Sequence, residues 1–102
     1  FILVRKSAVP MSYTLYQNYP NPFNPVTTLS YDLPEEGHIT LSIFDLMGRE
    51  ILQLVNSVQD EGQKSVQWDA TNSFGEPVSA GIYIYKIQAG EFSQTKKMVL
   101  LK

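Results

Sequence analysis

The sequence predicts an all-β fold, an antiparallel sandwich of about seven strands. Leu, Ile, Val, Tyr and Phe dominate its apolar residues while Ala is scarce, a balance that suits pleated, half-buried segments. Several stretches alternate apolar and polar residues with the period of a strand. Turn signals punctuate them at the roughly 8–12-residue spacing of sandwiches and barrels.

The strands follow in order. Residues 13–16 form a first short one. Over 26–33, Thr27, Leu29, Tyr31 and Leu33 share one face, and Thr28, Ser30 and Asp32 share the other. After Pro34-Glu35-Glu36-Gly37, Ile39, Leu41 and Ile43 alternate with Thr40 and Ser42. The turn 45–48 ends on Gly48, a residue free to take positive φ, and suits a hairpin. Residues 51–58 hold Ile51, Leu52, Leu54 and Val55 at mixed spacing. A helix that short is marginal alone, and its place after a hairpin turn makes it a strand. Asp60-Glu61-Gly62 turns the chain into a segment where Val66 and Trp68 alternate with Ser65 and Gln67. A longer turn region, 69–75, follows. Residues 82–87 are apolar on both faces, as a central strand is, and Gly90 turns the chain into a last strand over 92–101. This pattern is that of an immunoglobulin or fibronectin type III-like β-sandwich. Trp68 is its natural core anchor, since a buried indole is the largest apolar contribution available.

At 102 residues the chain is one domain, large enough to bury roughly 60–70% of its unfolded surface. There is no Cys, so disulfides and thiolate zinc sites are excluded, and no cofactor is expected. A net charge of −2 carries no nucleic-acid footprint. No apolar run reaches the roughly 18 residues of a transmembrane helix. The chain begins with Phe1 rather than Met, which reads as a fragment or a processed product.

The most distinctive stretch is Asn18-Tyr19-Pro20-Asn21-Pro22-Phe23-Asn24-Pro25. Its prolines exclude helix and central strand, and its asparagines favour turns that bond their own backbone. Tyr19 and Phe23 are expected to pin this stiff loop against the sandwich.

From residue 13 to Lys102 the sequence closely resembles the type A C-terminal sorting domain of proteins exported by the type IX secretion system. The resemblance extends to the immunoglobulin-like domain of flagellar hook-capping proteins. The loop with Gln17 before it leads into Thr27-Thr28-Leu29-Ser30-Tyr31. Leu33-Pro34, Phe44-Asp45-Leu46-Met47-Gly48-Arg49-Glu50 and Val66-Gln67-Trp68-Asp69 come next. Gly75-Glu76-Pro77-Val78-Ser79-Ala80-Gly81-Ile82-Tyr83 and Lys96-Lys97-Met98-Val99-Leu100-Leu101-Lys102 complete it. The resemblance implies a non-catalytic module at the end of a secreted protein of a Gram-negative bacterium. It implies recognition by outer-membrane secretion machinery, an upstream passenger, and later removal or exchange for a surface anchor. It also implies that export information lies at Gly81 and Tyr83 and in the last strand, with Lys96, Lys97 and Lys102. The physical reading of those lysines alone is edge-strand protection, and both readings stay open. By the same resemblance the proline-asparagine loop is scaffold.

Other chemistry is thinly represented. His38, the only histidine, is placed in a turn with a structural or solvated role. Arg49 has Asp45 and Glu50 as possible ion partners. Residues 69–75 carry oxygen ligands in a loose calcium-loop pattern without its closing acid, and read instead as a hydrogen-bonded turn. Gly81 is expected to permit a close backbone approach.

Two further classes compete with sorting. Phe1-Ile2-Leu3-Val4 is an apolar, β-favouring run within a separate segment, 1–12. It packs on its own sandwich, ends an upstream domain, or inserts into a neighbouring copy. In the last case strand donation would build an extracellular fibre or surface layer by self-association. A carbohydrate-binding sandwich is the third class, with Tyr13, Tyr16, Tyr19 and Phe23 as an aromatic platform.

Overall fold

The computed structural model describes residues 9–101. Seven strands run in sequence: β1 (Thr14–Leu15), β2 (Thr27–Leu33), β3 (Gly37–Phe44), β4 (Glu50–Gln59), β5 (Gly62–Trp68), β6 (Gly81–Ala89) and β7 (Phe92–Leu100). They form two antiparallel sheets, β1-β2-β5 and β4-β3-β6-β7. This is the expected sandwich. The candidate donor residues Phe1, Ile2, Leu3 and Val4, and Lys102, lie outside the described residues.

Alternation decides which side chains enter the core. Thr27, Leu29, Tyr31 and Leu33 of β2 are all buried, as their period requires. They face Ile39, Leu41 and Ile43 of β3 and Tyr83, Tyr85 and Ile87 of β6 in one continuous core. Trp68, at the end of β5, is buried and donates its indole N–H to the Thr71 carbonyl at 2.8 Å. Its ring meets Tyr83 edge-on at 5.5 Å and Phe23 at 5.8 Å, separations at which aromatic pairs add to their area burial. Residues 51–58 are strand, as length and context predict. Leu54 and Ile51 are the extra residues at two register shifts against β3, which explains their mixed spacing.

Three local expectations change. His38 is in β3 rather than in a turn, with its Nε2 2.7 Å from the Asn56 Oδ1 on β4. Strand pairing with Val58 has drawn the preceding turn residues Gly37 and His38 into the ladder. β6 is central in its sheet, but only its inward face is sealed, and Ile82 is exposed. Among the described residues, no second layer covers the outer side. Gly81 has open space where a Cβ would stand and sits at φ +151°. Backbone conformation, not close approach, calls for glycine there.

Trp68→Ala should lower stability by about 3–5 kcal/mol, the usual cost of truncating a core aromatic. Urea denaturation followed by far-ultraviolet circular dichroism checks it, and an unchanged midpoint would mean the indole is not the anchor.

Candidate functional site

The proline-asparagine loop is fastened on two sides. Its start hangs on Asn18, buried despite being polar. The Asn18 Nδ2 donates to the Thr27 Oγ1 at 3.0 Å and to the Pro20 carbonyl at 3.2 Å, and its Oδ1 accepts from the Gln17 Nε2 at 2.6 Å. The Thr27 hydroxyl donates to the same Pro20 carbonyl at 2.8 Å. The Asn18 backbone N–H donates to the Tyr85 hydroxyl at 2.8 Å, which in turn donates to the Tyr16 carbonyl at 2.7 Å. All three X–Pro peptide bonds, at Pro20, Pro22 and Pro25, are cis.

The other side of the loop runs along β7, the edge of the four-stranded sheet. The Phe23 N–H donates to the Val99 carbonyl at 2.9 Å, and its carbonyl accepts from the Leu101 N–H at 2.8 Å. The Asn21 Oδ1 accepts from the Val99 N–H at 3.0 Å, and the Gln17 Nε2 reaches the Lys97 carbonyl at 2.7 Å. Phe23 pairs with Leu100 as a parallel bridge and buries its ring. Of the two expected pins, only Phe23 tucks in. Tyr19 is 80% exposed, because its bridge to Thr28 turns the ring outward from the small sheet. The asparagines bond backbone as expected at 18 and 21; no such bond is seen at Asn24 among the described residues.

The structure gathers most of the implied export residues around this seam. Gly81 pairs with Leu100 and Tyr83 with Met98, so the start of β6 lies beside the end of β7. Tyr83 is a core residue whose hydroxyl donates to the Ser79 carbonyl at 2.6 Å. The two lysines part company. Alternation turns Lys96 toward the half-buried side of β7 and Lys97 to the exposed one, so they make no single cationic patch.

The two ends of the sandwich differ in chemistry. One end holds the turns at 34–36, 60–61 and 90–91, with Glu35, Glu36, Asp60, Glu61 and Glu91. The other holds the chain's last strand end, the proline-asparagine loop, the β3–β4 turn and the β5–β6 connection. Met47 is 80% and Phe74 83% exposed there, with Leu46, Tyr19, Ile82 and Leu101 also exposed. These residues were missed by strand periodicity, although Leu46, Met47 and Phe74 stand in turn segments, where apolar residues have no core to fill.

The scaffold of that end is well bonded. The Asp45 carboxylate accepts from the Met47 and Arg49 N–H groups at 2.9 and 3.0 Å and pairs with the Arg49 side chain at 2.8 Å. The Arg49 N–H above all holds its carboxyl below the ordinary range. Residues 69–75 form the expected hydrogen-bonded turn. The Asn72 Oδ1, a would-be cation ligand, accepts from Phe74 and Glu76 N–H groups at 2.9 and 3.0 Å instead. Ala70 takes φ 64° there while buried, at a cost on the order of 1–2 kcal/mol. Burial pushes the Tyr85 hydroxyl up to about 12, against the Asn18 N–H that lowers it. Burial, then the Asp45 charge, raises Tyr83.

The aromatic platform is dispersed. Phe23 is internal, and Tyr13 stacks on Phe92 at 5.0 Å. Tyr16 and Tyr19 remain on the outer side of the small sheet. Among the described residues, no group of three acidic, His or Cys side chains stands ready for a metal.

Residues 17–101 match the family described as secretion system C-terminal sorting domain. No curated protein sequence matches the chain. Among solved structures, it superimposes on dimeric latent PorU from Porphyromonas gingivalis with TM-score 0.71 and 18% identity over 87% of this chain and 9% of that one. It also superimposes on PorZ of P. gingivalis, an essential surface component of the type-IX secretion system, with TM-score 0.61 and 21% identity over 86% of this chain and 11% of that one. FlgD from P. aeruginosa gives TM-score 0.57 and 22% identity over 72% and 57%. At these identities the likeness is one of fold, and the chain spans only a small part of PorU and PorZ.

Asn18→Ala should cost about 1–3 kcal/mol by stranding buried partners, read as a lower urea midpoint. The Tyr85 shift has a definite sign. Its folded pKa lies above the ordinary value of 10, so its contribution is intact below about pH 10 and is lost as pH rises toward 12. Tyr85→Phe should be less stable at pH 7 yet lose less between pH 10 and 12. Parallel stability curves for the two proteins would contradict this assignment.

Proposed function

The chain belongs to the secretion system C-terminal sorting domain family, and from that membership we propose that residues 13–102 direct an upstream passenger across the outer membrane. Sorting for type IX secretion is the family's role, and its members mark proteins for the cell surface or extracellular space of Gram-negative Bacteroidetes. The family is in general non-catalytic, and this chain is proposed to act by binding alone. Residues 1–12 serve as the connector to the passenger, and the partner is the outer-membrane machinery.

The observation that carries the finer reading is the polarity of the domain along its long direction. The acidic end lies where residues 9–13 enter, with the Tyr13 hydroxyl donating to Glu35 at 3.2 Å. The apolar end lies where β7 finishes. Exposed apolar side chains gathered at one end, several of them in turns that have no core to fill, suit an interaction site. In this reading the machinery docks on the apolar end. Gly81 and Tyr83 shape the start of β6 beneath it, and Lys97 is displayed on the outer face of β7. Lys96 adds charge on the half-buried side of β7, Lys102 lies outside the described residues, and the loop 18–25 holds the terminal strand in place.

The test is a fusion of the full chain to a periplasmic reporter in a host with type IX machinery. Met47→Asp with Phe74→Asp touches only exposed side chains and should change stability by about 0.5 kcal/mol or less. Export of the fusion should nevertheless fall, with reporter retained in the periplasm. Glu35→Lys with Glu61→Lys, at the opposite end, should export normally. Undiminished export of the apolar-end variant would overturn the docking assignment, and retention of the unaltered fusion would overturn the sorting role itself.

A further inference from the structure

We propose that the outer face of the three-stranded sheet is a saccharide-binding site, centred on Asp32 and walled by Tyr16. This site shares only Tyr19 with the apolar end, and its case does not depend on the sorting reading.

The register places three rows on this face. Thr14, Asp32 and Gln63 form one, and Ser30 and Ser65 form the next, with Tyr16 alongside through its N–H to the Ser30 carbonyl at 3.0 Å. Tyr19, Thr28 and Gln67 form the third. The rows offer hydroxyls, amides, one carboxylate and two tyrosine rings, and no Lys or Arg. A cleft of about 280 Å³ opens here, lined by Tyr16, Ser30, Asp32, Gln63, Lys64 and Ser65. It lies at the small end of ligand pockets, with room for one sugar ring.

Asp32 is the residue that asks for a ligand. It is only 8% exposed, yet its carboxylate receives one side-chain hydrogen bond among the described residues, from the Tyr16 hydroxyl. A carboxylate has about four acceptor positions, so Asp32 keeps acceptor capacity for a donor that arrives from solvent. No buried side-chain oxygen among the described residues lacks a partner, so the acceptor positions left over at Asp32 are open to solvent, on the cleft that Asp32 helps to line. The hydrogen bond to Asp32 raises the Tyr16 pKa, which keeps Tyr16 a donor and holds the ring beside the carboxylate.

The lining selects among ligand classes. An anion meets the Asp32 charge, while the one cation, Lys64, is already held by Asp60. A metal ion finds a single acid. A peptide strand finds no open backbone on β2, at the centre of the face, because β2 has β1 on one side and β5 on the other. Vicinal sugar hydroxyls donate to Asp32 and exchange bonds with Ser30, Ser65 and Gln63, while an apolar sugar face lies on Tyr16. Tyr19 stands opposite Thr28, two residues from Ser30 along β2, about 7 Å farther on, in place for the next ring of a chain.

The test is a titration of the isotopically labelled full chain with cellotetraose, mannotetraose and chitotetraose, followed by amide chemical shifts. At least one should give saturable shifts in the millimolar range, centred on Tyr16, Ser30, Asp32, Gln63 and Ser65. Asp32→Asn should abolish them. Gln63→Ala with Ser65→Ala, both exposed and safe for folding, should weaken binding about tenfold through the loss of two hydrogen bonds. Absence of saturable shifts with all three sugars, or unchanged affinity in the Gln63/Ser65 variant, would overturn the site.

Discussion

The outer edge of β7 sets the terms for this fold. An edge strand presents unpaired N–H and C=O groups, and such an edge invites another chain. Here the Lys97 carbonyl, both backbone groups of Val99 and the Leu101 N–H are all bonded by the stretch between Gln17 and Phe23. The same stretch drives the Phe23 ring against Trp68 and fastens Asn18 to Tyr85 and Thr27. One irregular loop thereby closes an edge, fills a corner of the core and ties the two sheets together.

That arrangement keeps the end of the terminal strand firm while its outer side chains stay accessible. From Lys97 to Leu101 its backbone is bonded to the loop on the outer side, and β6 pairs with it on the other. Its outer side chains, Lys97 among them, remain exposed. The neighbouring turns are held open by local bonds to Asp45 and Asn72, so Met47 and Phe74 project where a flexible loop would fold them inward. The opposite end collects acidic turns. A domain built this way has distinguishable ends, which suits the proposed passenger at one end and the proposed docking at the other.

The outer face of the small sheet follows from a different constraint. Strand alternation sends every second residue of β2 and β5 away from the core, and these are Ser, Thr, Gln and Asp. A solvated sheet face tolerates such residues anywhere. What sets this one apart is Asp32, buried beside Tyr16 yet with acceptor capacity open to the cleft.

The strands were legible in the amino-acid sequence because alternation and turn residues are local properties. Leu29, Tyr31 and Trp68 announced their burial, and the unusual composition of the loop Asn18–Pro25 announced a particular module. Even the strand character of β4 followed from length and context. Side-chain destinations that depend on distant partners were not legible. Tyr19 and Phe23 look alike as aromatic pins, and only the bridges to Thr28 and to Leu100 turn one outward and the other in. Lys96 and Lys97 look like a pair until strand alternation separates them. Tyr85 carries no sequence mark of its bond to Asn18, 67 residues away. Local spacing determined which segments become strands. Tertiary packing alone decided which edges are sealed, which end is apolar and which carboxylate is left asking for a donor, because each of those depends on groups that meet only after the sheets have closed.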